Sequence, residues 1–537
     1  MKKHIRTKCD HLFLVVSIVM LAGACGSKAP VIGEYPPLPR EQPSPSMASP
    51  SSIEHDPLRK SVVLIEQPSS NPIVTIRVVF DAGSADDPPG QEGITRLTAM
   101  LMAEGGTQEL SYGEVLERLF PMAGEIQVQV GRDQTLFLGR VHRDRLDEFY
   151  EIMRDVLLHP RMGESDFERL RTQALTELTE ELRQSNDEAL AKAWLQAMVF
   201  EGHPYAHPEL GTERSLRQIT LEEVRTHREK VFCMGRATIG LAGNYPQPFA
   251  DRVVKDIERL SGPHCVGRRH LPPPPSLPSR IAIISKEQAS SVAVSMGFAI
   301  EVNRNHPDYP ALTLAASWLG QHRQFVGALM REIREKRGMN YGDYAYAEHF
   351  EQDGWSTFPL SNTSRRQSHF SIWLRPLKPE QAHFAIRLAI YILRRLVEEG
   401  LSLEEIQRMK RYLDGYYPLF FQKESQRLGH AIDDRFYGLS EGWLERLRRG
   451  WATLTPEGLH QAIKAHLKLD RLQIAIVGPN AEELAQAIAE ERESDPSYPE
   501  GRSLGADVEA TDRIVRTLQI GIPRERISIL RSDSLFK

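Results

Sequence analysis

Ile219-Thr220-Leu221-Glu222-Glu223 reads as a helix start with Thr220 as N-cap, and the helix it opens leads into a strand-like run from Ala237 to Gly243. The same succession recurs at Leu454-Thr455-Pro456-Glu457, where Thr455 is the N-cap and proline takes the first helical position. It too leads into an apolar run closed by glycine, Leu472 to Gly478. Upstream of each copy lies an amphipathic helix, with Leu146, Phe149, Met153 and Val156 sharing a face in one. Ala385, Leu388, Ile392 and Leu396 do so in the other. After each comes a Ser-x-x-Glu pattern that predicts a capping box, Ser165/Glu168 and Ser402/Glu405. Farther out, strand-like runs open each copy: Val62 to Ile65 with Ile73 to Phe80, and Ile281 to Ile284 with Val292 to Ile300. Landmarks repeated in order at nearly constant spacing indicate a duplicated unit. Alternation at Ile126, Val128 and Val130, then Leu136 and Leu138, predicts a hairpin with one buried face. The expected fold class is α+β: two homologous domains, each a mixed, mainly antiparallel sheet with helices packed on one face.

The units are expected at 58–262 and 280–489, joined by a proline-rich linker at 263–279 in which Pro272 to Pro275 are consecutive. Residues 490–537 form a C-terminal extension expected to pack back on the body. The N-terminus differs in kind. Lys2, Lys3, Arg6 and Lys8 precede an apolar stretch from Leu12 to Leu21, and small residues then lead to Cys25. This is a signal-peptide layout over 1–24, too short for a membrane-spanning helix with that ending. The approach to Cys25 resembles a bacterial lipobox, which implies lipidation at Cys25, although Ala22 stands where leucine is commoner. A Pro- and Ser-rich tether over 25–57 follows. Cys233 and Cys265 remain as a potential pair in an oxidising compartment, or as a buried thiol and an exposed one.

A formal net charge of −5 over 537 residues argues against nucleic-acid binding, which requires a basic surface. No P-loop or Gly-x-Gly-x-x-Gly fingerprint is present, and no Cys-x-x-Cys pair. Gly438-Leu439-Ser440-Glu441-Gly442 fits the nucleophile-elbow pattern but lacks the strand that should precede it, and is read as a loop between helices. His203 and His207 are four apart, yet Pro204 and Pro208 oppose a helical metal pair.

Several stretches, taken in order, resemble the pitrilysin/insulinase zinc peptidases. Ala82 to Gly90 with Gly93-Ile94 resembles the entry to that family's catalytic helix. His203-Pro204-Tyr205 with Leu210-Gly211-Thr212 resembles the segment after its third zinc ligand, and Leu329 to Tyr341 its C-terminal signature. The resemblance extends from Ser61 to about Ala489. In that family an inverted His-x-x-Glu-His motif supplies two zinc ligands and a general base from one helix face. The aligned residues here are Arg96, Ala99 and Met100. None of the three can do the work of the residue it replaces: a guanidinium has no lone pair to donate, alanine accepts no proton, and methionine is a poor zinc ligand. A third family ligand would align with Glu177, or with Glu180 or Glu181 after a small shift. No zinc or other cofactor is therefore expected in this chain.

Arg334 and Tyr341 match residues that, in related peptidases, reach the substrate beside the zinc. The tyrosine hydroxyl can donate to a developing oxyanion and the arginine can hold substrate oxygens. The plain alternative places Arg334 on an exposed face with Arg331, Lys336 and Arg337, and Tyr341 in ordinary packing. Some chains of the family form heterodimers in which one subunit carries zinc and the other supplies this pair. The resemblance thus implies a non-catalytic subunit of a periplasmic zinc metalloendopeptidase, binding peptide and completing a zinc-bearing partner's active site. Its expected place is lipid-anchored at the periplasmic face of the bacterial outer membrane. The alternative is a peptide- or protein-binding scaffold lipoprotein with no peptidase partner.

Overall fold

Two sheets with the same strand order organise the chain. The computed structural model describes residues 55–321, 326–350, 358–498 and 504–537. The signal segment, Cys25 and nearly all of the tether lie outside the described residues. All described residues belong to one compact unit.

The first sheet contains β1 (Val63–Pro68), β2 (Ile73–Phe80), β3 (Glu125–Val130), β4 (Thr135–His142) and β5 (Ala237–Gly243), in the order β1-β5-β2-β4-β3. The second contains β6 (Arg280–Ser285), β7 (Val292–Ile300), β8 (Asp343–Tyr346), β9 (Ser368–Leu377) and β10 (Gln473–Gly478), in the corresponding order β6-β10-β7-β9-β8. In each, the first strand lies parallel to the last and the other pairs are antiparallel. The C-terminal residues add β11 (Ile527–Arg531), parallel to β6, so the extension completes the second sheet. The proposed hairpin is formed by β3 and β4, with Val130 opposite Thr135.

Helices of the first half are α1 (Ile94–Glu104), α2 (Tyr112–Leu119), α3 (Leu146–Leu158), α4 (Glu164–Thr176), α5 (Asp187–Val199), α6 (Glu213–Gln218), α7 (Leu221–Val231) and α8 (Gln247–Glu258). Those of the second are α9 (Tyr309–Gly320), α10 (Pro379–Glu399), α11 (Leu403–Tyr416), α12 (Glu424–Tyr437), α13 (Trp443–Thr453), α14 (Pro456–His466), α15 (Ala481–Ala489) and α16 (Ala506–Arg516). Among the described residues, no helix is long and apolar enough to cross a membrane.

Alternation along β2 explains how the first sheet is covered. Val74, Ile76, Val78 and Phe80 point into a core shared with α1, α3, α7 and α8. On the opposite face, Val79, Leu136, Leu138 and Ala242 meet Leu428 and Ile432 of α12, a helix from the other half. Gly240 permits this approach, since a Cβ there would come within 2.7 Å of Ile432 Cδ1. The second half shows the reciprocal arrangement. Leu190 and Ala191 of α5 lie on Ala293, Ile284 and Val477, and Leu195 and Met198 lie by Ala282 and Ala475. Small residues on the second sheet make room for α5, as Gly240 does for α12. Each half therefore keeps its own helices on one face and lends one helix to the other half's sheet.

Capping follows the sequence signals at three of four positions. The side chains of Thr220, Ser402 and Thr455 accept from the backbone amides of Glu223, Glu405 and Gly458. Ser165 does not cap. Helix α4 starts earlier, with Gly163 as N-cap and no side-chain cap bond, and Glu168 pairs instead with Arg171. Cys233 and Cys265 form a disulfide with Cα atoms 6.1 Å apart, closing the chain around α8. The linker is held in place: Pro272 O accepts from His203 at 3.1 Å and from Gln367 at 2.5 Å.

Candidate functional site

Helix α1 begins where the chain turns sharply. Gly93, its N-cap, has φ 97°, which favours glycine, and a Cβ there would lie 2.6 Å from Leu210 O. Gly211 sits against the backbone of Glu92 and Gly93. Two separate sequence motifs, the entry to α1 and the 203–212 connector, are thus clasped glycine to glycine. The orphan amides of the first turn are met by the buried Asp87 carboxylate, which accepts from Gly93 N at 2.7 Å and Thr95 N at 3.0 Å. It also accepts from Thr95 Oγ1 at 2.6 Å, and that oxygen lies 2.8 Å from His227 Nε2 on α7. Burial pushes the Asp87 carboxyl up to about 7, against these three donors, and pulls the His227 imidazole down to about 4.

The three residues aligned with the zinc motif follow on this fixed helix. Arg96 Nη2 donates to Glu177 Oε2 at 2.5 Å, and Gln173 Nε2 donates to Glu177 Oε1 at 2.9 Å. Glu177 ends α4 and begins a π-helical segment, Glu177–Ser185, a local widening that often accompanies functional sites. Of the three glutamates left open by the sequence, Glu177 is the one that meets α1. Ala99 is fully buried in the core and Met100 packs against its edge. Glu104, at the end of α1, is raised by burial, an effect opposed by Arg169 and Arg96 and reinforced by Glu177. This cluster therefore sets two carboxylates against two guanidinium groups. A zinc ion would meet a Glu177 carboxylate already committed to Arg96, a Glu104 carboxylate beside Arg169, and two positive charges, with no imidazole among the three residues aligned with the motif. The residues do not fit zinc, and no chemical step can be routed through it here.

The other proposed residues belong to the second half. Arg334 lies in a π-helical turn, Met330–Glu335, and Tyr341 lies in the turn before β8. Tyr341 is 84% exposed, so it is not ordinary core packing. Its neighbour Asn340 is buried and donates to Asp343 Oδ1 at 2.6 Å and to Arg375 O at 3.3 Å, which fixes the turn from which the tyrosine projects. Burial raises the Asp343 carboxyl to about 8, opposed by Asn340 and the positive charge of Arg334. Arg337, grouped by sequence with exposed cations, is fully buried. Its Nε donates to Asp512 at 2.9 Å and its Nη1 to Glu332 O at 2.8 Å. The signature thus combines a structural arginine with a presented tyrosine. Sequence reasoning missed Glu104, Asn340 and Asp343, whose roles arise only from burial.

The remaining motifs are structural. His203 accepts from Tyr205 N and faces Pro272 O, while His207 Nδ1 faces its neighbour's carbonyl, Pro208 O, at 2.9 Å. Gly438 terminates α12 in the left-handed conformation and Gly442 precedes α13, so the Gly-x-Ser-x-Gly match is a loop between helices.

Comparison with known proteins agrees with this geometry. Residues 62–213 match the model of "Insulinase (Peptidase family M16)" and residues 218–413 that of "Peptidase M16 inactive domain". The chain is similar to "Non-peptidase homolog YmxG" of Helicobacter pylori, 23% identical over 433 residues, covering 80% of this chain and 94% of the relative. It is also similar to "Uncharacterized zinc protease YmxG" of Bacillus subtilis, 20% identical over 357 residues, covering 66% and 81% respectively. Its fold is similar to the crystal structure of a peptidase M16 inactive domain from Pseudomonas fluorescens, with TM-score 0.68 and 22% identity, covering 80% of this chain and 98% of that one.

Proposed function

The chain belongs to the insulinase family of peptidases, M16, as a homologue without the catalytic motif, and on that premise we propose that it is the non-catalytic subunit of a periplasmic zinc metalloendopeptidase. In this reading it binds peptide and completes the active site of a zinc-bearing homologous partner, while lipid at Cys25 anchors it to the periplasmic face of the outer membrane. The observation that carries the proposal is the Arg96–Glu177 ion pair. It uses the glutamate that would otherwise hold metal, while Tyr341 is retained and presented to solvent. A chain selected for packing alone has no need to expose a tyrosine on a turn pinned by a buried asparagine. The Cys233–Cys265 disulfide supports export to an oxidising compartment.

The test is co-purification of the lipidated chain from its native membrane, followed by peptide hydrolysis by the complex. A partner bearing His-x-x-Glu-His is expected. Tyr341→Phe should leave the complex assembled while lowering turnover by ~10²–10³-fold, the typical loss of one oxyanion donor. Arg334→Ala should mainly raise KM if it holds substrate equally in the ground and transition states. Absence of such a partner, or full turnover with Tyr341→Phe, would leave a peptide- or protein-binding scaffold lipoprotein as the better description.

A further inference from the structure

Three donor side chains converge in the second half, well separated in sequence from the α1 motif. His306 and Asp308 lie at the entry to α9, where Asp308 is the N-cap, and His466 is the last residue of α14. Each can offer one ligand atom such that all three atoms lie within 4.8 Å of one another. Among the described residues, this is the one group of three His, Cys, Asp or Glu side chains that converges so closely. His466 Nε2 and Asp308 Oδ2 are 2.8 Å apart, and the two imidazole rings stand nearly perpendicular with centroids 5.1 Å apart. Their backbones are fixed by two helices packed against each other. Both rings line a cavity of about 310 Å³, together with Glu301, Pro274 and Pro275, so the donors are held by the scaffold yet reachable from solvent.

We propose that His306, Asp308 and His466 form a binding site for one divalent transition-metal ion, of which Zn²⁺ is the reference case. Two imidazoles and a carboxylate suit zinc and its neighbours in the first row, and three protein ligands leave a fourth position open to water from the cavity. Capture changes two existing contacts. The ion takes the place of the direct His466–Asp308 contact. His306 Nδ1 releases the 3.1 Å hydrogen bond it accepts from Asp308 N, because a metallated imidazole either carries its proton on Nδ1 or uses that lone pair for the metal. The cavity is also lined by Val199 at the end of α5, so the ion would sit where the first half, the linker and the second half meet. The assignment is independent of the proposed subunit role, since no residue of α1 or of the Leu329–Tyr341 segment takes part.

The mature chain, purified without a histidine tag and stripped with chelator, is titrated with Zn²⁺ by calorimetry and with Co²⁺ by visible absorption. One ion per chain is expected, with the intense Co²⁺ absorption of a four-coordinate site and a thermal midpoint that rises with metal. His306→Gln and His466→Gln should each weaken binding by at least about a hundredfold, by analogy with the 10–100-fold cost of losing even an outer-sphere partner. His306→Gln replaces a half-buried ring on the cavity wall, so its fold, checked by circular dichroism, should persist even if His466→Gln loosens the helices. Arg96→Gln and Glu177→Gln should leave binding unchanged. The proposal is overturned if no ion binds, or if binding survives in the His306→Gln/His466→Gln double variant.

Discussion

Arg96 brings a single positive charge to a place where related peptidases hold a dication, and the consequences are confined to its neighbours. Its partner Glu177 keeps both carboxylate oxygens occupied, so the site is a closed ion pair instead of a vacant coordination sphere. Both members retain about a fifth of their exposure, and a partly solvated pair of this kind contributes on the order of 1 kcal/mol or less. Arg96→Gln should therefore cost little stability. Thr95→Val, one residue away, should cost more, about 1–3 kcal/mol, because it removes a donor to the buried Asp87 carboxylate and the acceptor facing His227. Urea unfolding of the two variants checks this ordering, and equal losses would refute it. With His306→Gln and His466→Gln in place to remove the other donor cluster, elemental analysis should find no stoichiometric zinc, and the chain should hydrolyse no peptide. Tightly bound zinc in that background would show that α1 still holds metal. The replacements at Arg96, Ala99 and Met100 are read from the motif's spacing, which helix geometry fixes. The compensating Arg96–Glu177 contact is not, since it joins residues 81 apart in sequence.

At the scale of elements, helices and strands were read from their periodicity and caps, whereas their partners were not. Leu428 and Ile432 announce a buried face on α12, yet nothing local says that the face belongs to the other half's sheet. Ser165 misled for a related reason: a cap signal two residues past the true N-cap, Gly163, looks the same as one at the helix start. The exchange of α5 and α12 is reinforced where the β3–β4 turn meets the segment before β9. Asp133 in that turn is fully buried, accepts from Arg366 N at 2.8 Å, and pairs with the Arg366 guanidinium at 2.7 Å and with the Tyr205 hydroxyl. Burial alone would raise the Asp133 carboxyl, but Arg366 and Tyr205 outweigh it and hold the group below the usual carboxylate range. Removing one partner of such a pair strands a buried charge. Arg366→Ala should cost about 3–5 kcal/mol, whereas exchanging the first half's exposed Arg145–Glu148 pair should cost almost nothing. Chemical denaturation measures both, and a loss under about 1 kcal/mol for Arg366→Ala would mean that the two halves do not depend on this contact.

Across the whole molecule, buried titratable groups set an acid limit and an alkaline one. Burial pulls His203, His207 and His227 down to about 4, and His383 and His430 to about 3, while His369 is lowered farther. Between about pH 4 and 6.5 the unfolded chain binds protons at these six positions that the folded chain does not, so their contribution to stability falls as pH falls. Four aspartates act in the opposite sense. Burial also raises Asp433; it raises Asp87 to about 7, Asp343 to about 8 and Asp434 to about 6, so near pH 5 the folded chain binds protons at these last three sites that the unfolded chain has released. The six histidines outnumber the three aspartates whose folded values lie near 6, 7 and 8, so unfolding takes up protons on balance near pH 5 and stability falls as the solution is acidified. Above about pH 7.5 the histidines are neutral in both states, while the stabilisation from Asp87 and Asp343 is still lost as pH rises through their folded values. Stability should therefore peak between about pH 6 and 7, fall steeply on the acid side, and fall more gently toward pH 8. Urea midpoints at about pH 5, 6.5 and 8.5 test this, with His227→Gln expected to flatten the acid limb by about one proton's worth of slope. A midpoint that does not change between pH 6.5 and 5 would show that the histidines do not outweigh the aspartates.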